Sequence, residues 1–368
     1  MPFSVYFLAL AVFGMGTSEF MLAGLMPDIA AALDVSLAQA GYLTSAFAAG
    51  MVAGAPLMAA LARSWRRRTA LLCFLAVFVA THVAGGLTTS FAVLLGTRLL
   101  AAVANAGFLA VALTAATGLV PPDRKGRALA VLLGGTTVAC VAGIPGGALL
   151  DAAFGWRAAF WAVAVVCLPA FAGVWRIADT PAGAAPVGLR AELAELRPLA
   201  GVFVLGALVN AATFGVFTYL APVATGVAPV PVVLLAFGTG CFAGVTAAGR
   251  LADRWPGRVV AIGGALLLSG WTALALTAHV PAALIGLAFT QGALSFAVGG
   301  TVITRILQLA TGAPTMAGSY ATAALNVGAT AGPVLAGAVL GAGRTAPVWT
   351  AVALVAVALA VHAFRRRT

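Results

Sequence analysis

The sequence predicts an all-α membrane protein: twelve transmembrane helices in two six-helix pseudo-repeat bundles. Three observations carry that prediction. Of 368 residues, 62% are hydrophobic and only 8% charged, where a soluble domain carries roughly a quarter charged residues. Twelve apolar runs follow one another, each long enough to cross a bilayer as a helix. One longer polar connection, 178–197, divides those runs six and six, so the expected units are 1–177, the linker 178–197, and 198–368. The 44 glycines fit helices that approach closely in lipid.

In order, the runs fall at about 3–26, 37–61, 69–88, 91–119, 128–150 and 156–176, then 199–222, 230–251, 258–279, 281–305, 318–341 and 345–364. Basic residues cluster in alternate loops. One side holds Arg63 with Arg66, Arg67 and Arg68; Arg124, Lys125 and Arg127; Arg176, Arg190 and Arg197; Arg250, Arg254 and Arg258; Arg305; and the terminal Arg365–Arg367. The opposite side has Arg157 and Arg344 beside Asp28, Asp34 and Asp151. By the positive-inside rule both termini and the linker are cytoplasmic. This clustering turns the net charge of +11 into a topology signal and argues against a nucleic-acid partner.

Other function classes find little support. Cys73, Cys140, Cys167 and Cys241 lie in apolar runs without a CxxC and read as buried small hydrophobes. His82, His279 and His362 are scattered, with no metal-ligand spacing, and His82 reads as facing lipid or core. No metal and no cofactor are expected. A clustered catalytic set is missing from the pattern, which disfavours an enzyme. The first run is too long for a cleavable leader and lacks its small-residue cleavage site.

Ionisable residues inside spans are costly and mark working sites by default. Glu19 lies in the first run, about 24 Å along its helix from Phe3 at 1.5 Å per residue, which places it in the outer half of the membrane. It is the only carboxylate expected well inside a span. Pro27-Asp28-Ile29-Ala30 reads as the polar exit of that run. Arg98, in span 4, needs a carboxylate, carbonyls or water nearby, unless it snorkels to the outer face. Asn105 follows on the same helix face, with Phe108 beyond; both are candidate substrate contacts, and Asn105 reads equally as helix–helix glue.

Span 5 carries Gly134, Gly143, Pro145 and Gly147, small residues for close approach and a proline that permits a bend. Trp156 and Arg157 open span 6 as an interfacial anchor. In the second half, Asn210, Phe214 and Phe217 are spaced four and three apart and form one stripe. Gln291 and Asn326 complete the candidate cavity-lining residues. Spans 7–9, 11 and 12 hold no deep ionisable side chain, so that chemistry is concentrated in the first half.

The loop Gly249-Arg-Leu-Ala-Asp253-Arg254-Trp-Pro-Gly257-Arg258 resembles the loop 2–3 signature of the major facilitator superfamily. Its first-half counterpart departs from the pattern, with Arg63 where an acid is expected and Arg66 where glycine is expected. Gly16-Thr-Ser-Glu19-Phe20 through Gly24-Leu-Met-Pro27-Asp28-Ile-Ala30 resembles the opening of that superfamily's drug:H+ antiporter branch with twelve spans. Within the branch, 43–56, 105–113 and 128–135 look like chloramphenicol-resistance exporters of actinobacteria.

The resemblance implies a major facilitator fold and proton-coupled efflux of a small drug, closest to chloramphenicol, by alternating access. It makes Glu19 and Arg98 the proton-coupling pair. Gly134, Gly143, Pro145, Gly147, Gly249, Asp253 and Arg254 become conformational motifs. It implies a monomer in the bacterial cytoplasmic membrane whose partners are drug, protons and lipid. Efflux of sugars or other metabolites, and passive uniport, are the readings left open.

Overall fold

A computed structural model describes residues 1–61, 65–178, 197–251, 254–310 and 316–365. With no water in the bilayer core, each spanning segment must satisfy its backbone internally, and helices do so. The first half comprises α1 (Phe3–Phe20), α2 (Leu22–Ala32), α3 (Leu37–Leu61), α4 (Arg67–Leu87), α5 (Phe91–Gly118), α6 (Lys125–Val138), a π-helical turn (Ala139–Gly143), α7 (Ile144–Phe154) and α8 (Arg157–Trp175). The second comprises α9 (Ala200–Thr218), α10 (Leu220–Ala224), α11 (Val230–Leu251), α12 (Pro256–Thr277), α13 (Pro281–Leu309), α14 (Met316–Ala338) and α15 (Ala346–Arg365). Among the described residues eleven helices are long and apolar enough to cross a membrane, α6, the π turn and α7 counting as one. The remaining expected span is α14, whose small and polar residues lower its hydropathy and suit it to close packing against α3 and α9.

Span 1 differs from its expectation. The backbone interrupts only briefly at Met21 and stays helical to Ala32, so Pro27 and Asp28 belong to α2 and not to an exit loop. Pro27 costs the helix one donor without ending it. The turn comes at Leu33–Ser36, where Asp34 takes φ 51°. A capping box then starts α3: Ser36 Oγ accepts from the Gln39 amide at 3.1 Å, and Gln39 Oε1 accepts from the Ser36 amide at 2.8 Å.

Span 5 lies against span 1 through a row of small residues. A Cβ at Gly135 would meet the Ala9 carbonyl; at Gly143 it would meet Thr17 Oγ1 at 2.8 Å, and at Gly147 Met21 Cβ at 3.0 Å. Gly134, the expected packing glycine, has nothing among the described residues within 4 Å of that position. The residue beside it makes the contact.

One core cluster is built from first-half residues between Leu8 and Ile177. A second gathers the later helices together with Phe20, Ala23, Ala48, Cys140, Ile144 and Ala148. The two halves of the sequence therefore meet along α1, α2, α3 and span 5. Gly24 faces Ala148 and Leu234, Gly238 faces the Cys140 carbonyl, and Gly337 faces Ala38. Tyr219, fully buried, passes its hydroxyl beside Gly41 and donates it to the Pro333 carbonyl at 3.0 Å.

Two further expectations are corrected. Cys73 is exposed on the surface of α4, while the other three cysteines are buried. Trp156 is only 3% exposed, so it is a core residue and not an interfacial anchor. Arg157 stacks over its ring at 4.3 Å and donates to the Thr88 carbonyl at 3.0 Å. Arg344 likewise donates to the Thr225 carbonyl at 3.3 Å, so both arginines of the sparsely basic side tie loops together.

Candidate functional site

Three consecutive residues near the end of α1 build the site. Ser18 is buried against α4 and α5, Glu19 is partly buried, and Phe20 turns toward the second half. Successive helical residues point about 100° apart, which is why three neighbours serve three surroundings. Because the helical stretch continues to Ala32, Glu19 lies near its middle.

Arg98 is 1% exposed. It does not snorkel; its guanidinium turns inward. Nη1 donates to Ser18 Oγ at 2.8 Å and Nη2 to the Ser18 carbonyl at 2.7 Å. The guanidinium stacks over Phe47 at 4.6 Å and approaches Phe160 at 5.9 Å. Each charge-assisted hydrogen bond contributes about 1.5–3 kcal/mol, and a desolvated cation–π contact about 2 kcal/mol. Burying a guanidinium costs several kcal/mol, which these contacts together match in magnitude. Nε has no partner.

Among the described residues no carboxylate lies within ion-pair distance of Arg98; Glu19 follows in the chain the serine that holds it. Arg98 is thus tied to the residue that precedes Glu19 and not to Glu19 itself.

The sequence reading missed His82. It is 1% exposed, with Nε2 2.7 Å from Ser18 Oγ and Nδ1 2.8 Å from the Phe78 carbonyl. A single histidine in an apolar run carries no periodic or spacing signal. Its partner lies 64 positions away, and Arg98 and Ser18 are 80 apart. Asp151, expected outside the spans, is a buried acid in α7, facing Asp28 of α2.

The other candidates divide by location. Asn105 lies two turns along α5 from Arg98, its amide 3.8 Å from Met51 Sδ on α3. Phe108 is fully buried in the first-half core. Phe214 and Phe217 close around Phe20, ring centroids 6.4 and 6.1 Å away, with Phe296 of α13 at 6.2 Å. Asn210 donates to the Leu325 carbonyl at 2.8 Å, tying α9 to α14. Gln291 is 0% exposed and donates to the Leu267 carbonyl at 2.9 Å, between α12 and α13. Asn326 bonds the Thr322 carbonyl of its own helix at 2.9 Å. Arg254 lies 5.8 Å over Trp255; Asp253, and the surroundings of Gly249, fall outside the described residues.

A crevice of about 170 Å³ runs along another face of α1, between span 5 and α8. Phe13, Thr17, Gly143 and Val163 are among its largely apolar lining. Neither Glu19 nor Arg98 reaches it.

The sequence pattern of the Major Facilitator Superfamily matches residues 8–233. The chain belongs to this superfamily. It is 61% identical to the "Chloramphenicol resistance protein" of Streptomyces lividans, the match covering 100% of this chain and 97% of that protein. It is 33% identical to the inner membrane transport protein YdhP of Escherichia coli K12, over 91% of this chain and 88% of that one. Among solved structures, a bacterial homolog to the human lysosomal transporter Spinster, in inward-facing and occupied conformation, aligns with a TM-score of 0.80 at 18% identity, covering 98% of this chain and 96% of that one. The unoccupied form aligns at 0.74. That likeness establishes the major facilitator fold, and the protein is a multi-pass membrane protein of the superfamily.

Proposed function

We propose that this superfamily member exports chloramphenicol from the bacterial cytoplasm in exchange for protons. The supporting observation is the buried Arg98 held on Ser18, the chain neighbour of Glu19, near the middle of span 1, in a chain 61% identical to a protein named for chloramphenicol resistance. Glu19 is the proton carrier and Arg98 its charge partner. With a proton on Glu19, Arg98 rests on Ser18, as in the geometry described above; loss of that proton draws the guanidinium toward the new carboxylate. The six-helix units 1–177 and 198–368 rock about the contacts between them, with both termini on the cytoplasmic side and a single chain as the working unit. Asn105, Asn210 and the Phe214–Phe217 pair supply polar and aromatic contacts to the drug.

The test is drug-stimulated proton movement in membrane vesicles holding matched amounts of wild-type chain and Glu19→Gln. Wild type is expected to move protons when chloramphenicol is added, and Glu19→Gln to move none. Normal exchange by Glu19→Gln removes the carrier assignment. Chloramphenicol movement that only equilibrates across the membrane, and is unchanged by a protonophore, reassigns the protein as a passive uniporter.

A further inference from the structure

We propose that His82 is a positioning residue for Arg98: as the neutral Nδ1–H tautomer it turns the Ser18 hydroxyl so that its lone pairs face the guanidinium. The hydrogen-bond geometry permits one consistent assignment. The Phe78 carbonyl can only accept, so Nδ1, 2.8 Å away, carries a hydrogen. Nε2 lies 2.7 Å from Ser18 Oγ, the oxygen that already accepts from Arg98 Nη1 at 2.8 Å. A hydrogen on Nε2 as well would place a second cation on that same neutral oxygen. Both side chains are 1% exposed, and among the described residues no carboxylate stands within ion-pair distance of either. Two unpaired charges sharing one hydroxyl in such a core are strongly disfavoured.

With Nε2 bare, the hydrogen bonds through Ser18 Oγ run in one direction. Arg98 donates to Ser18, Ser18 donates to His82, and His82 donates to the Phe78 carbonyl. The ring cannot turn freely out of this order, because Phe78 packs 4.2 Å from its centroid and Phe160 5.9 Å. Phe160 also faces the guanidinium, so one ring braces both ends of the relay.

The functional consequence rests on the Glu19–Arg98 reading above. Ser18 and Glu19 are adjacent; Ser18 holds the guanidinium in this structure, and on that reading the Glu19 carboxylate takes it once its proton leaves. A hydroxyl held as an acceptor competes with the carboxylate; one free to rotate competes poorly. Removing His82 therefore leaves Arg98 on Glu19 for more of the cycle and slows turnover, with little effect on drug affinity.

Two measurements test this. Nitrogen NMR of protein labelled on its histidine rings, with the His82 signals assigned by their loss in His82→Gln, should show Nδ1 protonated and Nε2 bare at neutral pH. An Nε2–H form or an imidazolium overturns the proposal, and this reading needs no altered chain to be active. In exchange assays at matched membrane levels, Ser18→Ala and His82→Leu should each lower kcat about tenfold at unchanged half-saturating drug, the value of one hydrogen bond to a charged group. The double variant should be no slower than either single one, and His82→Gln, which keeps an acceptor, should recover most of the rate. Additive losses, or no recovery with Gln, overturn it. Normal exchange by Glu19→Gln would remove the coupling reading while leaving the hydrogen order intact, so the two failures are distinguishable.

Discussion

At the scale of the residue, Arg98 combines two properties that rarely coexist: a fixed charge and almost no solvent. Its fork of donors matches Ser18, one arm to the hydroxyl and one to the carbonyl. A lysine ammonium is a compact point charge that cannot reproduce this planar grip. Arg98→Ala is expected to abolish drug-stimulated proton movement, and Arg98→Lys to retain charge coupling at a rate lowered at least tenfold. Full activity of both in vesicle assays would reduce Arg98 to a structural residue. Glu19 and Arg98 were legible because ionisable residues in apolar runs stand out by cost alone. Ser18 and His82 were not: a serine among small residues is ordinary, and their link depends on contacts across three helices. Gln291 was legible as a polar residue but not as to target; it donates to a neighbouring backbone carbonyl.

At the scale of the element, the helices are matched by backbone proximity more than by side-chain interdigitation. Gly135 and Gly134 give a clean comparison, since a side chain at the first meets the backbone of α1 and at the second meets nothing among the described residues within 4 Å. Gly135→Val should sharply reduce thermal stability in detergent, while Gly134→Ala should be neutral or stabilising by up to about 1 kcal/mol from helix propensity. Equal effects would contradict the packing described. Gln291→Met should cost about 1 kcal/mol or less, the usual worth of an interhelical hydrogen bond in a membrane, with unchanged half-saturating drug; a large rise in that concentration would place Gln291 in the binding cavity. Span 5 also shows why the glycine spacing was read one residue out. Gly135, Ala139, Gly143 and Gly147 recur every fourth residue, and a regular helix drifts by about 40° over each such step. The wider π turn at Ala139–Gly143 counteracts this drift and keeps the row on α1. Sequence periodicity assumes one pitch throughout, so the turn was invisible to it.

At the scale of the whole molecule, the span count and the α-helical class followed from hydropathy because the bilayer leaves the backbone few alternatives. Which residues join the two halves did not follow, since those contacts pair positions hundreds of residues apart. Ala38 and Gly337 offer a direct check: a Cβ at 337 would lie 3.5 Å from Ala38 Cβ, within the range for a disulfide. In a Cys73→Ala, Tyr219→Phe background, the second change removing a hydroxyl that the new Cβ would meet at 2.5 Å, Ala38→Cys with Gly337→Cys should cross-link on oxidation. Exchange should then stop and return on reduction. Undiminished exchange in a fully cross-linked sample would show that this contact need not open. The placement of Ser18, Glu19 and Phe20 has a mechanical counterpart. A helix is torsionally stiff, so α1 acts as a crank with no slack between its arms. Any rotation that lifts Ser18 from Arg98 must sweep Phe20 across the Phe214–Phe217 pair, and a push on those rings must be felt at the guanidinium.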